Sequence, residues 1–421
     1  MDPASILDLD LDFHAENSTY ASHALHAFAA KFPPQLPRLF IERLTTEGET
    51  VLDPMAGSGT TLLEAYLLGR QAIGVDIDPL AVKMARVKTT PLETSVQNLG
   101  LDVVFRARFL MGSPAVEHQL RVRFDEESKR FIDYWFLPQT QQELMALIYA
   151  IEEFPEDSAE RRFLEVVFSS VIITKSGGVS LARDLAHTRP HRDLSKKPKN
   201  AIDQFAERVR KLHQSFSALP NSRSLPEVRL GDARCLDIAD NSVHLVITSP
   251  PYANAIDYMR AHKFSLVWMG RPPNDLSFLR GEYIGSEKAQ TGVSEAMPEF
   301  VSEIVSRVEA KDARKAKVLT RYFSDMSRCI SEMHRVLVPG RVVVLVVGSS
   351  MIRGINVETP RCLAKIAETI GLELIGIATR RLDRDRRMMP ARSVGGVLSG
   401  IEQRVHTEEI VILRKRKGDA S

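Results

Sequence analysis

The chain has 421 residues and a formal net charge of +2, so any nucleic-acid-binding surface must be a local feature rather than a property of the whole chain. Cys235, Cys329 and Cys362 show neither metal-ligand spacing nor a paired framework, and no apolar run reaches transmembrane length. The acidic N-terminus lacks the features of a signal peptide. We therefore expect no metal, no membrane association and a reducing, cytoplasmic location.

A proline-rich turn at 31–37 leads into the first predicted helix. Prolines suit a turn and the first turn of a helix. Apolar residues then recur at helical spacing before Gly48, namely Leu36, Leu39, Phe40 and Leu44.

A strand, a glycine-rich turn, a helix and a second strand follow over 50–78. The first strand ends in Asp53, and Gly57 and Gly59 allow the backbone to turn tightly and to approach a ligand. The second strand, 72–78, ends in acidic residues, and Pro79 starts the next helix. Asp76 follows Gly57 by about 20 positions, the spacing of a carboxylate that binds a ribose diol.

A phosphate-binding P-loop is the competing interpretation of this turn. A P-loop requires Gly-Lys-Ser/Thr at the start of the helix, whereas Gly59 is followed by Thr60 and Thr61. A turn without lysine and with Asp53 at its mouth disfavours a polyphosphate. It suits a ligand that is cationic or neutral at that point.

A second polar cluster ends the apolar strand 243–247. The sequence there is Thr248-Ser249-Pro250-Pro251-Tyr252, and consecutive prolines cannot donate ladder hydrogen bonds, so the strand must end. A hydroxyl, rigid carbonyls and an aromatic ring thus gather at the carboxyl end of a strand, where open α/β sheets bind ligands. The alternative is a strand followed by a stiff proline turn with no function.

Together, Asp53–Thr61 and Ser249–Tyr252 resemble the motifs of the DNA amino-methyltransferases, the N4-cytosine and N6-adenine enzymes of the SPPY type. The stretch 31–37 resembles this family's additional cofactor-side motif, and the resemblance covers 28–88 and about 226 to the C-terminus. It implies an α/β, Rossmann-like class I methyltransferase fold with a mostly parallel seven-stranded sheet. It also implies S-adenosyl-L-methionine as the cofactor and duplex DNA with a flipped base as the substrate.

The resemblance further implies a two-part site. In this family the target amine is held by the catalytic motif, here Ser249, Pro250, Pro251 and Tyr252. The cofactor-binding residues implied are Phe32, Asp53, Met55, Ala56, Gly57, Gly59, Thr60, Asp76, Ile77, Asp232 and Ala233. A helix N-cap is the alternative role for Asp232, which follows the strand that ends at Gly231.

The types of residue at a few positions narrow the choice of target base and of substrate class. Carbon-5 methylation of cytosine needs a cysteine nucleophile, typically after a proline, and none of the three cysteines follows one. Ser249 favours cytosine N4 over adenine N6. An RNA amino-methyltransferase and a non-catalytic nucleic-acid-binding subunit remain alternatives, although no RNA-binding domain is recognisable and both motifs are intact.

Residues 95–225 interrupt the family pattern and are predicted to form a mostly helical insertion, a candidate target-recognition region. Its basic residues suit either a phosphate backbone or a solvated face, and they include Arg189, Arg192, Lys196 and Lys197. The predicted division is therefore 1–94 for cofactor binding, 95–225 for the insertion and 226–421 for the rest of the catalytic domain. Because the insertion precedes Asp232, a second, flexible insertion at 271–312 is an alternative recognition segment.

The C-terminal part is predicted to complete the sheet. Helices are expected at 258–270, whose aromatic stripe we assign to the core, at 313–336 and at 359–370, with strands at 341–348, 372–378 and 409–413. An arginine cluster before the last strand, with Arg384, Arg386 and Arg387, suits phosphate contact or a solvated loop. The expected partners are DNA and a possible cognate restriction endonuclease, with the chain associated with the nucleoid.

Overall fold

The computed structural model describes residues 2–174, 178–185, 190–216, 219–220, 224–253, 257–286, 297–382 and 407–418. The strands are β1 Thr50–Asp53, β2 Gln71–Asp76, β3 Ala182–Arg183, β4 His191–Arg192, β5 Glu227–Leu230, β6 Val243–Thr248, β7 Leu337–Val347, β8 Met351–Ile352, β9 Ile355–Asn356, β10 Leu372–Arg381 and β11 Thr407–Lys415. The helices are α1 Gln35–Leu44, α2 Thr60–Leu67, α3 Pro79–Thr89, α4 Val96–Leu110, α5 Pro114–Val122, α6 Glu126–Trp135, α7 Pro138–Ile151, α8 Ala159–Ile172, α9 Ala201–Phe216, α10 Met259–Trp268, α11 Pro273–Glu282, α12 Glu299–Glu309, α13 Ala313–Val336 and α14 Thr359–Ile370.

A seven-stranded sheet with the order β10-β11-β7-β6-β1-β2-β5 forms the centre of the molecule. Strand β11 runs antiparallel to both of its neighbours, and the other neighbouring pairs are parallel. The predicted α/β fold with a mostly parallel seven-stranded sheet is therefore confirmed. The connections reverse direction between β1 and β6, which is where a sheet of this kind opens a crevice at its carboxyl edge.

The central strands are apolar because both faces of the sheet are covered. Residues 243 and 245–247 of β6 and 343–347 of β7 are all 0% exposed, a continuous apolar run rather than an alternation. Helices α1 and α2 contribute to the apolar core of one face. Helices α13 and α14 contribute to the core of the other.

The predicted insertion is helical and shares a core with the catalytic part. Helices α4–α9 pack together with α10, and α8 contacts both α3 and α10. Phe264 and Trp268 of α10 are fully buried against aromatic rings of α6 and its flanking residues, which confirms the core role predicted for this stripe. The region proposed to read the target is thus anchored on the helix that follows the Ser-Pro-Pro-Tyr motif.

The expectation of a flexible segment over 271–312 is wrong for the part that the structure describes. This part contains α11 and α12, and α12 buries Val301, Ile304 and Val308 on one face against the core of α13. Residues 287–296 lie outside the described residues. None of the described helices is long and apolar enough to cross a membrane.

Candidate active site

The carboxyl ends of four parallel strands bring the two sequence motifs together. Val51 pairs with Leu245 and Leu52 with Val246, so β1 and β6 end side by side. On the other flank of β1, Asp53 pairs with Gly74 of β2, and β2 in turn pairs with β5. The glycine turn, Ser249–Tyr252, Asp76 and Asp232 therefore lie at one edge of the sheet.

The glycine turn adopts a backbone that other residues would strain. Gly57 and Gly59 have φ values of +50° and +77°. A Cβ on Gly59 would lie 2.8 Å from Ala85 Cβ of α3, so this glycine also allows close helix packing. The Gly57 N–H donates to Asp76 Oδ2 at 2.7 Å, which ties the turn directly to the acid at the end of β2.

Two carboxyl groups at this edge have raised pKa values. Burial, reinforced by the neighbouring Asp78 carboxylate, raises the pKa of Asp76 to about 7. Burial raises the pKa of Asp53, which is 2% exposed, to about 6. When ionised, the two groups can accept hydrogen bonds from hydroxyls or face a cationic ligand, and they would repel a polyphosphate.

Phe28 is a residue of this site that sequence analysis missed. A Cβ on Gly57 would lie 3.0 Å from Phe28 Cε1, so the ring lies directly over the glycine turn. The same ring stacks on Tyr258, with centroids 5.1 Å apart and planes 20° from parallel. Phe28 thus joins the turn to the segment that follows the Ser249–Tyr252 motif. Its position just before the proline-rich stretch is the one sequence signal that indicated it.

Asp78 fixes the helix after β2 to two distant segments. Its carboxylate caps α3 by accepting the Leu80 N–H at 2.8 Å. It also accepts the Tyr283 hydroxyl at 2.8 Å and lies 2.6 Å from His262 Nδ1. These buried contacts hold α10 and the end of α11 against the start of α3. No local pattern in the sequence links residues so far apart along the chain.

A cleft of about 360 Å³ opens beside the end of β2. Its walls are largely apolar, with acidic and basic groups at the edge, and the lining residues are Ile77, Pro79, Leu230, Gly231, Asp232, Arg271, Asp275, Leu276 and Leu279. The predicted cofactor residues Ile77 and Asp232 therefore share one cavity. Helix α11, which lies in the segment predicted to be flexible, forms one wall of this cleft.

Asp232 does not cap a helix, which corrects the alternative role considered for it. A short turn follows, in which Asp232 bridges to Cys235. Arg234 contacts the Asp232 carboxylate at 2.7 Å and Asp325 at 2.9 Å. Burial on its own would raise the pKa of Asp232, but hydrogen bonds from Arg234 outweigh it and hold the pKa below its usual value.

The Ser249–Tyr252 motif has a polar partner that the sequence did not indicate. Ser249 and Tyr252 are half-buried, and Pro250 is buried. The Tyr252 hydroxyl donates to Glu408 Oε1 of β11 at 2.6 Å. The ring of Tyr252 therefore has a fixed anchor at its hydroxyl end.

The other predicted cofactor residues fall into two groups. Met55, Ala56 and Thr60 belong to the turn or to the first residue of α2, and Ala233 is buried beside Asp232. Phe32 is 7% exposed and lies in the apolar cluster around Leu36, so the described structure gives it a packing role.

The basic side chains predicted to contact nucleic acid differ in their exposure and in their contacts within the protein. Arg192 lies on β4 with its guanidinium 4.2 Å from the Tyr134 ring centroid, and Lys197 is exposed. Lys196 instead donates to the Ala182 carbonyl at 2.6 Å, and burial lowers its pKa to about 8, so its ammonium group is committed to the β3–β4 hairpin. Arg189, Arg384, Arg386 and Arg387 lie outside the described residues. Within the described ranges, no cluster of three or more His, Cys, Asp or Glu side chains could hold a metal.

Comparisons with known proteins relate the chain to methyltransferases. Residues 11–87 match the N6/N4 methyltransferase family model, described as DNA methylase. The chain is 22% identical to the Type II methyltransferase M.MvaI of Kocuria varians, over 96% of this chain and 93% of that protein. It is 23% identical to the Type II methyltransferase M.BsoBI of Geobacillus stearothermophilus, over 86% and 81% respectively. A solved S-adenosylmethionine-dependent methyltransferase from Methanosarcina mazei has 11% identity and a TM-score of 0.31, covering 90% of this chain and 97% of that one.

The strand order and the glycine turn define the class I methyltransferase fold, in which a nucleoside-containing cofactor binds at the carboxyl edge. The predicted resemblance to the amino-methyltransferases of the N4/N6 family is confirmed by the match of this family's model and by the similarity to Type II methyltransferases along most of the chain. The predicted cofactor, S-adenosyl-L-methionine, is confirmed at the level of the methyltransferase match. The site fits this cofactor because it offers a lysine-free glycine turn, an acid at the end of β2 and an apolar cleft beside it.

We expect cofactor affinity to increase as the pH rises through about 7. The pKa of Asp76 in the free protein is raised to about 7, so its carboxyl group is protonated at lower pH and accepts ribose hydroxyls best when ionised. Calorimetric titration with S-adenosylhomocysteine between pH 5.5 and 8.5 measures this change. Asp237→Asn, which alters a fully exposed carboxylate, serves as the control and should show the wild-type profile. An affinity that is constant over this range would contradict the assigned role of Asp76.

Proposed function

We propose that this chain transfers a methyl group from S-adenosylmethionine to the N4 amine of cytosine in duplex DNA, as a site-specific Type II modification enzyme. The observation that carries the proposal is the pairing of β1 with β6, because it brings Ser249–Tyr252 next to the glycine turn and Asp76. Such a substrate associates the chain with the nucleoid. A cognate restriction endonuclease is part of the proposal through the Type II relatives.

The chemistry follows from the electronic structure of the target amine. Its nitrogen is planar and a poor nucleophile because the lone pair is delocalised into the ring. Ser249 Oγ and the Pro250 carbonyl are proposed to accept the two N–H groups, which favours pyramidal nitrogen and directs the lone pair away from the ring. The bound cofactor supplies an electrophilic methyl group. The nitrogen loses its proton after it has gained the methyl group, so no residue has to deprotonate the amine beforehand.

Tyr252 is proposed to stack on the extruded base. A base in a duplex cannot reach a site at a sheet edge, so the reaction requires base flipping. Stacking of a base on an aromatic side chain contributes about 1–3 kcal/mol. Much of the rate enhancement then comes from alignment of the nitrogen with the methyl group.

The choice of cytosine N4 rests on Ser249, and adenine N6 is the alternative within the family. An RNA amine is the alternative outside DNA. Purified protein incubated with labelled S-adenosylmethionine and either duplex DNA or bulk RNA separates the two substrate classes. Transfer to RNA with none to DNA would overturn the DNA proposal. Absence of cofactor binding in calorimetry would instead favour a non-catalytic subunit.

The helical insertion, 95–225, is proposed to contribute to target recognition. Arg192 of the β3–β4 hairpin and Lys197, which follows the hairpin, are both exposed at its surface. The insertion packs on α10, which directly follows the catalytic segment, so DNA bound there would lie on the side of the substrate site.

We expect Arg192→Ala and Lys197→Ala each to weaken DNA binding and to reduce the salt dependence of binding by about one unit of slope. Each exposed cation that contacts a phosphate releases about one counterion. Fluorescence anisotropy of duplex DNA at several salt concentrations measures both quantities. Lys365→Ala on α14, which alters another exposed lysine, is the matched control. An unchanged slope in both variants would exclude Arg192 and Lys197 as phosphate contacts.

A further inference from the structure

We propose that Glu408, held by Arg380, is a positioning residue that sets the ring of Tyr252 for methyl transfer. The inference rests on the proposed function, because it concerns the same site. It adds a pair of residues from the last two strands of the sheet to the residues that the family resemblance implied.

The three side chains form a continuous polar chain at the sheet edge. Tyr252 donates its hydroxyl to Glu408 Oε1 at 2.6 Å. Arg380 Nη1 lies 3.3 Å from the other carboxylate oxygen, Glu408 Oε2. Arg380 and Glu408 are cross-strand partners in the β10–β11 pair, so the backbone register itself brings them together.

The two charged side chains in this series of contacts are buried. Arg380 is 1% exposed and Glu408 is 6% exposed. A buried charge without a partner is strongly unfavourable, and a buried pair is retained when each charge satisfies the other. Arg380 and Glu408 face each other as a buried ion pair, although Nη1 and Oε2 have no hydrogen-bond partner among the described residues, and the pair holds the Glu408 carboxyl group where it accepts the Tyr252 hydroxyl. Burial and the nearby Glu408 carboxylate raise the pKa of Tyr252 well above its usual value, so the hydroxyl stays a neutral donor.

A glycine confines the same ring from a second direction. Val347, the last residue of β7, pairs with Glu409, so Gly348, the next residue, lies beside Glu408. A Cβ on Gly348 would lie 2.9 Å from Tyr252 Cε2 and 3.2 Å from Cζ. The ring thus packs against bare backbone on one side while its hydroxyl is anchored. Its plane is fixed by these two contacts rather than by Ser249–Pro251 alone.

A fixed ring plane matters for alignment. If Tyr252 stacks on the flipped base, the angle of the ring sets the angle of the base and hence the line from the amine to the methyl group. Misplacement of about 1 Å can reduce a rate by about 10²-fold. Loss of the anchor should therefore lower kcat while cofactor binding, which uses the other half of the site, is unaffected.

The test compares Tyr252→Phe, Glu408→Ala, Glu408→Gln and the double variant Tyr252→Phe/Glu408→Ala in DNA methylation assays of the full chain. We expect each of the first two to lower kcat by about 10- to 100-fold with unchanged affinity for S-adenosylhomocysteine. The double variant should be no slower than the slower single variant, because both remove the same hydrogen bond. Glu408→Gln retains an acceptor oxygen and should recover part of the loss.

Glu373→Gln is the matched control, because Glu373 pairs with Arg414 across the same two strands at 2.9 Å but on an exposed surface. It should retain wild-type kcat. Gly348→Ala leaves the buried Arg380–Glu408 pair intact and displaces the Tyr252 ring sterically. This variant can therefore test the positioning role even if Glu408→Ala does not fold. It should lower kcat as Tyr252→Phe does.

The possible results distinguish failure of the positioning role from failure of the proposed function. Methylation by the wild-type chain together with wild-type kcat in Tyr252→Phe and Gly348→Ala would overturn the positioning role and leave the function standing. Additive losses in the double variant would also overturn it, since the two residues would then act separately. A wild-type chain that binds cofactor and methylates no DNA would overturn the proposed function and this inference with it.

Discussion

Replacing Ser249 and Tyr252 together by alanine is expected to abolish turnover while cofactor affinity stays nearly unchanged. The serine hydroxyl would no longer accept an amine hydrogen, and the base would lose its aromatic platform. Loss of one such preorganised polar contact typically costs about 10²–10³ in kcat, and loss of one stacking contact about 1–3 kcal/mol. A fall of about 10³-fold or more is therefore expected.

Single-turnover methyl transfer to duplex DNA measures this effect, with calorimetry of S-adenosylhomocysteine measured in parallel. Ser242→Ala is a suitable control because it removes an exposed serine hydroxyl just before the other end of β6. Turnover above a tenth of the wild-type value in the double variant would contradict the assignment of Ser249 and Tyr252 to the reacting amine.

Replacing Asp76 by alanine is expected to have the opposite effect, a loss of cofactor affinity. The carboxylate holds the Gly57 N–H at 2.7 Å and the Asp78 N–H at 2.9 Å, so its removal loosens the glycine turn. It would also remove the acceptor for the ribose hydroxyls. Hydrogen bonds to charged groups contribute about 1.5–3 kcal/mol, which corresponds to a loss of about 10- to 100-fold in affinity.

Calorimetric affinity for S-adenosylhomocysteine tests this prediction above pH 7.5, where the wild-type carboxylate is ionised. Asp237→Ala, at a fully exposed carboxylate, controls for a general loss of negative charge. If the Asp76 variant and the Ser249/Tyr252 variant lost the same affinity, the site would not divide into a cofactor half and an amine half.

The fold and the two motifs were predictable because their causes are local. Periodic apolar residues, prolines and glycines act within a few positions, so the sequence predicted the strand–turn–helix unit at 50–69 and the end of the strand at Thr248. That these segments meet depended on the family resemblance and was confirmed by the register of β1 and β6. The site roles of the individual residues remain predictions.

The side chains that contact Tyr252, Gly57 and Asp78 could not be predicted from local sequence patterns. Glu408 is far from Tyr252 along the chain, and a glutamate near the start of a last strand looks like an ordinary edge residue. Phe28 and His262 likewise reach the site by folding and not by spacing. Strands β10 and β11 pair in antiparallel register, and this pairing places Arg380 opposite Glu408 and creates the buried pair.

The error over 271–312 had an available signal. Its polar composition suggested flexibility, yet Val301, Ile304 and Val308 recur at helical spacing and form the buried face of α12. Leu276 and Leu279 of α11 similarly line the cleft beside Ile77. Composition averaged over a long segment conceals a narrow apolar stripe, and the stripe is what determines whether a helix packs.

Mass spectrometry of nucleosides tests the central claim most directly. Unmethylated plasmid DNA would be incubated with the purified chain and S-adenosylmethionine carrying a deuterated methyl group, then digested to nucleosides. We expect deuterated N4-methylcytosine with the wild-type chain and none with the Ser249→Ala/Tyr252→Ala variant. Deuterated N6-methyladenine in its place would contradict the choice of base. Finding neither product, although the protein binds the cofactor, would contradict the proposed DNA amino-methyltransferase itself.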